Sequence, residues 1–255
     1  MFNLFSCHYS MKVVLVCIAK LEHLYIEEFC KHHLSIGFDA IYIYDNEDVP
    51  TYHRIGLPKV HVIHFPGKVM QHKALEHFQT IPSNYTHMIH MDCDEFIVLK
   101  KHATIQAFVQ EYIQGDCVGI GINWRFFGDS HKTFSNEPLR KRFTWCQRNG
   151  DPHIKTLFKK DSFVKYNTVH DVAVKDGHIK STNGTIIKGP WNHAIDLSVI
   201  QLNHYKTKTL EEFIYIRQRG RADVAGEETM DKILESFHAH NLNEVEDLTL
   251  FNKMV

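Results

Sequence analysis

The chain has 255 residues, of which 44% are hydrophobic and 23% charged. This composition is typical of a globular protein and unlike that of a disordered or fibrous one. Lys and Arg together number 29 against 30 for Asp and Glu, so the net charge is −1 at pH 7. There is therefore no overall positive field to favour a nucleic-acid partner, and any bound anion must be held by local groups.

The first apolar run along the chain extends from Val13 to Ala19. It predicts a buried strand, because it is far shorter than the ~20 residues that a membrane-spanning helix needs. The six cysteines contain no CxxC pair, which favours a reducing compartment. We therefore expect a cytoplasmic protein without a transmembrane segment.

Apolar strands and amphipathic helices alternate through the first hundred residues. After the first strand, the sequence predicts a helix over Leu21 to Ile36 that Gly37 ends, a strand over Ile41 to Tyr44, a strand over Val60 to Phe65, a helix over Gln71 to Phe78 and a strand over His87 to Met91. This alternation is typical of an open, largely parallel sheet with crossover helices.

Two of these strands are followed directly by an aspartate. Asp45 comes after the second strand, and Asp92 comes after the strand that ends at Met91. Ligands of open α/β sheets bind beyond the carboxyl ends of the strands, so both aspartates are predicted to lie where a nucleotide would bind.

The second half is less regular. The sequence predicts strands over Val118 to Trp124 and Val199 to Tyr205, and short hairpin strands over Ile154 to Phe158 and Val169 to Val174. Thr104 is predicted to cap a helix, and Thr209 to Glu212 is predicted to be a capping box. A final helix is predicted over Thr229 to His240. No internal repeat and no Pro- or Ser-rich linker interrupts the chain, which favours one domain over residues 1–255.

The acidic segment Asp92-Cys93-Asp94-Glu95 is the motif with the clearest chemistry. Two carboxylates in a D-x-D arrangement can bind Mn²⁺ or Mg²⁺ and bridge the ion to substrate phosphates. A bare D-x-D can equally be a polar turn between two apolar runs. Its position after one strand and before another, at the predicted crevice, favours the binding site.

Five blocks of sequence, in order, resemble glycosyltransferase family 92 and related family-2-like enzymes. They are Glu22 with Ile26 to His33, Gly37 with Tyr42 to Asn46, Met91 to Ile97, Trp124 to Gly128, and Asn203 to Tyr205 with Glu211 to Phe213 and Arg219 to Ala222. They match the family's E…EW..YH..G and IYDN segments, its DxDEF box, its W..FG segment and its HY…EEF…RGRA run. Together the five blocks extend over most of the chain, and they follow the order that they have in the family.

This resemblance implies a GT-A fold, which is a Rossmann-like, mostly parallel open sheet flanked by helices with a loop-rich acceptor-side half. It further implies a divalent metal ion and transfer of a hexose from a nucleotide sugar, UDP-linked in our interpretation, with inversion at the anomeric carbon. The division we expect is a nucleotide-sugar-binding half over 1–100, an acceptor-side half over 101–225 and a C-terminal helical tail over 226–255. The acceptor could be a glycan, a lipid or a protein.

The resemblance also assigns roles to individual residues. The metal ligands would be Asp92, Asp94 and His204, with Asp94 the more direct ligand and Asp92 shared with the ribose. The nucleotide would contact Asp45 with its neighbour Asn46, although Asp45 could equally be a simple turn residue in Asp45-Asn46-Glu47-Asp48. Independently of the resemblance, positive charge for the diphosphate could come from Lys73 in the second predicted helix or from Arg219 and Arg221, and the alternative is that these cations are simply solvated.

Inversion by direct displacement also needs a general base near the acceptor hydroxyl. Asp171, beside His170 in the loop-rich half, is the first candidate, and Asp129 is the second. The alternative for His170-Asp171 is a simple hairpin turn. Trp124 or Trp191 could offer an apolar face to a sugar ring, or pack in the core.

Two other functions remain open from the sequence. A phosphohydrolase of the haloacid-dehalogenase kind also has an Asp-x-Asp after an apolar strand, although it expects Thr or Val where Phe96 stands. A non-catalytic module that binds sugar nucleotides or glycans would keep the fold and lack the base.

Overall fold

The computed structural model describes residues 11–217 and 229–254. The helices are α1 (Ile26–Ser35), α2 (Gln71–Thr80), α3 (Ile105–Tyr112), α4 (Leu139–Arg142), α5 (Leu210–Arg217) and α6 (Met230–His240). The strands are β1 (Val13–Ala19), β2 (Ala40–Asp45), β3 (Val60–His64), β4 (His87–His90), β5 (Glu95–Leu99), β6 (Cys117–Phe126), β7 (Trp145–Cys146), β8 (Asp151–Lys159), β9 (Phe163–Tyr166), β10 (Val172–Val174), β11 (His178–Lys180), β12 (Ile200–His204) and β13 (Val245–Glu246).

In the described residues, nine strands form one open sheet in the order β3-β2-β1-β4-β8-β6-β12-β5, and β11 pairs with β6. The first four strands are parallel to one another, as are β6 with β12 and with β11. β8 is antiparallel to both of its neighbours, and β5 is antiparallel to β12. The predicted α/β class, with a Rossmann-like, mostly parallel open sheet flanked by helices, is confirmed.

The apolar run of β1 is continuous because both faces of the strand are covered. Val13, Leu15 and Cys17 belong to one apolar cluster, and Val14 and Val16 belong to a second cluster on the other face. A strand buried on both faces has no reason to alternate with polar residues. The second cluster includes α2, while α1 and α3 pack into the first.

The helix ends follow the local sequence. Gly37 ends the first helical segment at φ +103°, a conformation that favours glycine. The Thr104 hydroxyl accepts the Ala107 N–H at the start of α3. At α5, the Thr209 N–H donates to the Glu212 carboxylate and the Glu212 N–H donates to the Thr209 hydroxyl, which confirms the predicted capping box.

The sequence prediction was wrong about Ile154–Phe158, which does not form a separate hairpin. This segment is part of β8, which lies between β4 and β6 in the large sheet. Because β8 runs against both neighbours, its first residue lies at the edge where β4 and β6 end. The first residues of β8 therefore lie at the carboxyl ends of the parallel strands.

The C-terminal segment is more than a helix. After α6 the chain forms β13, which pairs with β7. Asn241 and Asn243 both donate through their side-chain amides to Asp129, at 3.0 and 2.9 Å. Within the described residues, no helix has the length and apolar character needed to cross a membrane.

A buried ion pair joins α4 to α5. Arg142 donates to both carboxylate oxygens of Glu212, at 2.9 and 2.6 Å, and the Tyr25 hydroxyl also donates to that carboxylate. The two charged side chains are 1% and 6% exposed. Removing one charge from such a pair leaves the other buried without compensation.

We predict that Glu212→Gln lowers the free energy of unfolding by about 3 kcal/mol, the lower part of the range for breaking a buried pair. The matched control is Glu27→Gln, which removes the same charge from the exposed pair with Lys31. That change should cost no more than about 0.5 kcal/mol. Urea denaturation of the three proteins measures both values, and equal losses would show that the Arg142 pair has no special weight.

Candidate functional site

The acidic turn between β4 and β5 lies at the carboxyl edge of the sheet. Glu95 is fully buried, and its carboxylate accepts the backbone N–H of Asp92 at 2.9 Å. Cys93 points inward, with its sulfur 3.2 Å from that of Cys17 on β1. The buried side chains of Glu95 and Cys93 therefore anchor the turn to the core, and Asp92 and Asp94 lie at the crevice.

A buried lysine holds the first carboxylate of the turn. Lys155 of β8 is 0% exposed, and its ammonium lies 2.8 Å from Asp92 and 3.5 Å from Glu95. Gln71, at the start of α2, donates to the other oxygen of Asp92 at 2.9 Å. Burial alone would raise the pKa of Asp92, but the charge of the Lys155 ammonium, its hydrogen bond and the nearby His90 together lower this pKa to about 2.

Lys155 acts less strongly on Glu95. Burial raises the pKa of the Glu95 carboxyl well above its ordinary range, and the nearby ammonium opposes this only in part. Asp92 is consequently the main charge partner of Lys155.

The second carboxylate of the turn faces the end of β12. An Asp94 oxygen lies 3.5 Å from His204 Nε2, and the other oxygen lies 3.7 Å from the Lys208 ammonium. Burial lowers the pKa of His204, although Asp94 opposes the shift. His204 is therefore a neutral imidazole, the form that binds metal ions.

Lys208 is an unusual group at this position. Its side chain is 1% exposed, and its ammonium makes no hydrogen bond to any part of the chain that the structure describes. The ammonium lies 5.1 Å from the centre of the Tyr25 ring. Buried ammonium groups normally have hydrogen-bonding partners, whereas here the Asp94 carboxylate at 3.7 Å is a charge partner without a hydrogen bond.

The predicted metal ligands only partly come together. Asp94 and His204 are neighbours, but the Asp92 carboxylate is already engaged by Lys155 and Gln71. Within residues 11–217 and 229–254, no three His, Cys, Asp or Glu side chains are grouped as a ready metal site. Mg²⁺ and related ions are commonly bound by one or two protein groups plus substrate phosphates, and the Asp94 and His204 pair fits that pattern.

Asp45 and Asn46 make hydrogen bonds within the fold, and their predicted contact with a nucleotide stays a prediction. The Asp45 carboxylate is fully buried and accepts the backbone N–H groups of Glu47, Thr51 and Tyr52. Asn46 donates to two backbone carbonyl groups of the segment after β3. Both residues hold the loop beyond β2, so a nucleotide at this edge would contact the loop they shape.

The predicted diphosphate contacts have mixed outcomes. Lys73 is exposed in the first turn of α2, two residues after Gln71, which itself touches Asp92. Residues two apart on a helix do not share a face, so the contact of Gln71 does not place Lys73 at the crevice, and its role towards a diphosphate stays a prediction. Arg219 and Arg221 lie outside the described residues.

Neither predicted general base is presented to an acceptor. Asp171 is 6% exposed and accepts hydrogen bonds from Asn167 and Thr168, so its carboxylate closes the hairpin between β9 and β10. Asp129 accepts from the two asparagines that follow α6. Both carboxylates hold loops, and a role for either as general base stays a prediction.

A cluster of aromatic and imidazole rings forms the other side of the crevice around Trp124 of β6. The indole contacts His204 at a centroid distance of 4.3 Å, His153 at 5.0 Å and His170 at 5.0 Å. Burial lowers the pKa of His170 to about 3, and the Lys155 ammonium adds to this effect. Asp151, the first residue of β8, lies 2.6 Å from His153 Nδ1.

The sequence analysis missed Lys155, Lys208 and the pair of Asp151 and His153. A lysine inside the otherwise uncharged segment Ile154-Lys155-Thr156-Leu157-Phe158 was the available signal for the first. For the second, Lys208 follows His204 by four residues and lies between the matched segments Asn203 to Tyr205 and Glu211 to Phe213. Asp151 and His153 carried no signal, because only the reversed direction of β8 brings them to the crevice.

Comparison with known proteins leaves the family open. No protein-family model matches the chain, and no curated protein matches it. A crystal structure of 4-diphosphocytidyl-2C-methyl-D-erythritol synthase from Anaerococcus prevotii aligns with 59% of this chain and 72% of its own, at 10% identity and a TM-score of 0.32. A similarity this low carries no argument about function.

We predict that Asp45→Asn acts on stability, because an amide cannot accept all three backbone N–H groups that the carboxylate now accepts. The free energy of unfolding should fall by about 1–3 kcal/mol. The control is Asp48→Asn, whose carboxylate is 88% exposed and should cost less than about 0.5 kcal/mol. Thermal or urea denaturation tests this, and an Asp45→Asn protein of unchanged stability would argue against the loop-holding role.

Proposed function

We propose that the protein is a metal-dependent glycosyltransferase that moves a hexose from a nucleotide sugar, UDP-linked, to a hydroxyl acceptor with inversion. The observation that carries the proposal is the acidic turn between β4 and β5. It brings Asp94, neutral His204 and the buried Lys208 together at the carboxyl edge of an open α/β sheet. Nucleotides bind at this edge in such sheets.

The charges at the turn suit a diphosphate leaving group. Lys208 supplies a desolvated cation without a hydrogen-bond partner in the described chain. Lys155 neutralises Asp92 and so reduces the repulsion that this carboxylate would exert on an incoming phosphate.

Asp94 and His204 would hold a divalent cation, Mn²⁺ or Mg²⁺, with the diphosphate oxygens and water completing its shell. When bound, the ion neutralises the charge that develops on the leaving diphosphate. The protein residues have the remaining tasks. Glu95 and Cys93 fix the turn, and Lys155 with Gln71 fixes the orientation of the Asp92 carboxylate towards the ribose.

Two variants test the binding role of the turn. In Asp94→Asn, we expect affinity for Mn²⁺ with a UDP-sugar to fall by at least tenfold, because the amide is a weaker ligand for a hard cation. In Lys208→Met, we expect affinity for the UDP-sugar to fall by a similar factor, because the cation opposite the diphosphate is lost. Isothermal titration calorimetry with UDP-galactose and UDP-glucose, with and without EDTA, measures both.

Asp116→Asn is the matched control, because its carboxylate is 66% exposed and pairs only with Lys180 at the surface. Its affinity should equal that of the unmodified protein. Binding that survives EDTA and Asp94→Asn would contradict the metal assignment. Release of phosphate from nitrophenyl phosphate, unaffected by sugar nucleotides, would instead favour the phosphohydrolase, and tight binding without transfer would favour the non-catalytic module.

A further inference from the structure

His153 is hydrogen-bonded to the carboxylate of Asp151. Its Nδ1 lies 2.6 Å from an Asp151 oxygen, and that same oxygen accepts the backbone N–H of His153 at 2.9 Å. An imidazole that donates from Nδ1 to a carboxylate has its lone pair on Nε2. Burial alone would raise the pKa of Asp151, but these hydrogen bonds lower it, so the carboxylate stays charged and fixes the tautomer.

The backbone around the pair is well anchored. Asn123 donates to the backbone carbonyl of Asp151 at 3.1 Å, and Asn192 donates from its backbone to the carbonyl of Pro152 at 2.7 Å. The His153 ring stacks on Trp124 with an interplanar angle of 23°. A side chain held by packing and by a second group is positioned as a catalytic group must be.

The His153 side chain is accessible to solvent. The His153 side chain is 38% exposed, whereas His204 and Trp124 beside it are almost fully buried. Trp191 packs against His153 at a ring-centroid distance of 6.0 Å and keeps half of its surface exposed. The imidazole therefore opens to solvent next to an exposed indole, which is the kind of flat apolar surface on which a sugar ring stacks.

Trp124 connects His153 with His204, which lies on the proposed donor-binding side of the crevice. Trp124 contacts His153 at 5.0 Å and His204 at 4.3 Å, so one indole ring joins the two imidazoles. In the proposed function, His204 and Asp94 hold the diphosphate end of the donor. A hydroxyl that meets His153 would then approach the anomeric carbon from the side away from the diphosphate.

We propose that His153 is the general base of the transfer, that Asp151 is its positioning residue, and that the acceptor is a saccharide whose ring stacks on Trp191. This inference rests on the proposed function. The acceptor O–H gives its proton to His153 Nε2 while the oxygen forms a bond to the anomeric carbon. The bond from that carbon to the diphosphate oxygen breaks, and the diphosphate leaves with the electron pair.

The remaining histidine of the cluster is less suited to this role. His170 is directed by Nδ1 to the backbone carbonyl of Ile154 at 3.1 Å, and burial beside Lys155 opposes its protonation. His153 combines a carboxylate partner with a side chain that is 38% exposed, so it can accept a proton and release it to solvent.

His153→Ala tests the base. We expect the rate of transfer to fall by at least ~100-fold, the usual contribution of a general base, while the affinity for Mn²⁺ and UDP-sugar stays within about twofold. Added imidazole should restore part of the rate in His153→Ala, which it would not do for a purely structural defect. His178→Ala, an exposed histidine on β11, is the control and should transfer at the unmodified rate.

Asp151→Asn tests the positioning role. The amide keeps the shape of the side chain but lacks the charge, so we expect kcat to fall by at least ~10-fold with little change in KM. Imidazole should not rescue this variant, because the His153 ring still occupies the site. An equal loss in donor affinity would point to a structural role and overturn the assignment.

Trp191→Ala tests the acceptor class. The probes are UDP-galactose and UDP-glucose as donors, and methyl galactoside, methyl glucoside and lactose as acceptors, against a serine peptide and a long-chain alcohol. We expect transfer to the saccharides, with KM for the saccharide raised at least ~10-fold in Trp191→Ala, the loss from removing a stacking ring of about 1.5 kcal/mol. Trp145→Ala, which removes an exposed indole on β7, is the control and should behave as the unmodified protein.

The outcomes separate the two proposals. If the unmodified protein binds the UDP-sugar with Mn²⁺ and transfers the hexose, but His153→Ala is equally active, then His153 is not the base while the proposed function stands. Transfer only to the peptide or the alcohol would overturn the saccharide acceptor. If the unmodified protein neither binds nor turns over any UDP-sugar, the proposed function itself fails.

Discussion

The buried ammonium of Lys155 is the group on which the arrangement of the crevice depends. It comes from β8, the strand that runs against its neighbours, and it reaches the acidic turn that follows β4. Burying an isolated ammonium costs several kcal/mol, and only close carboxylates with good geometry offset that cost. Asp92 provides such a partner at 2.8 Å, so the position of the turn and the insertion of β8 depend on each other.

The same ion pair explains why two neighbouring aspartates have different surroundings. Asp92 is neutralised by Lys155 and oriented by Gln71, whereas Asp94 faces the neutral His204 and the poorly solvated Lys208. Two carboxylates at one turn would otherwise repel each other and oppose the approach of a phosphate. The separation of the two environments supports a division of roles in which Asp92 orients the donor and Asp94 carries the metal ion.

Much of the fold was predictable because local rules decide it. The strand from Val13 to Ala19 is apolar on both faces, and Thr104, Thr209 and Gly37 mark helix ends by their own chemistry. The acidic turn was placed correctly by its position after a strand. The site was harder to predict because a carboxylate in a loop has the same appearance whether it holds that loop or meets a ligand.

Asp45, Asp129 and Asp171 illustrate this difficulty. Each was selected as an acidic residue in a loop near the expected crevice, and each accepts several hydrogen bonds from its own surroundings. Asp151 has the same residue type, but its partner is the imidazole of His153, which is partly exposed to solvent. Asp151 differs from the other three aspartates in the hydrogen-bonding partner of its carboxylate. That partner is set by strand direction and strand pairing, which the sequence alone does not reveal.

Trp124 connects the two sides of the proposed reaction. Its indole is almost fully buried and touches both His204, on the side of the acidic turn, and His153, on the side that opens to solvent. A rigid ring between the two imidazoles fixes their separation, because neither can move towards the other without displacing the core of β6. Direct displacement requires the attacking hydroxyl and the leaving group to be aligned on opposite sides of one carbon, and a fixed separation of the groups that hold them meets that requirement.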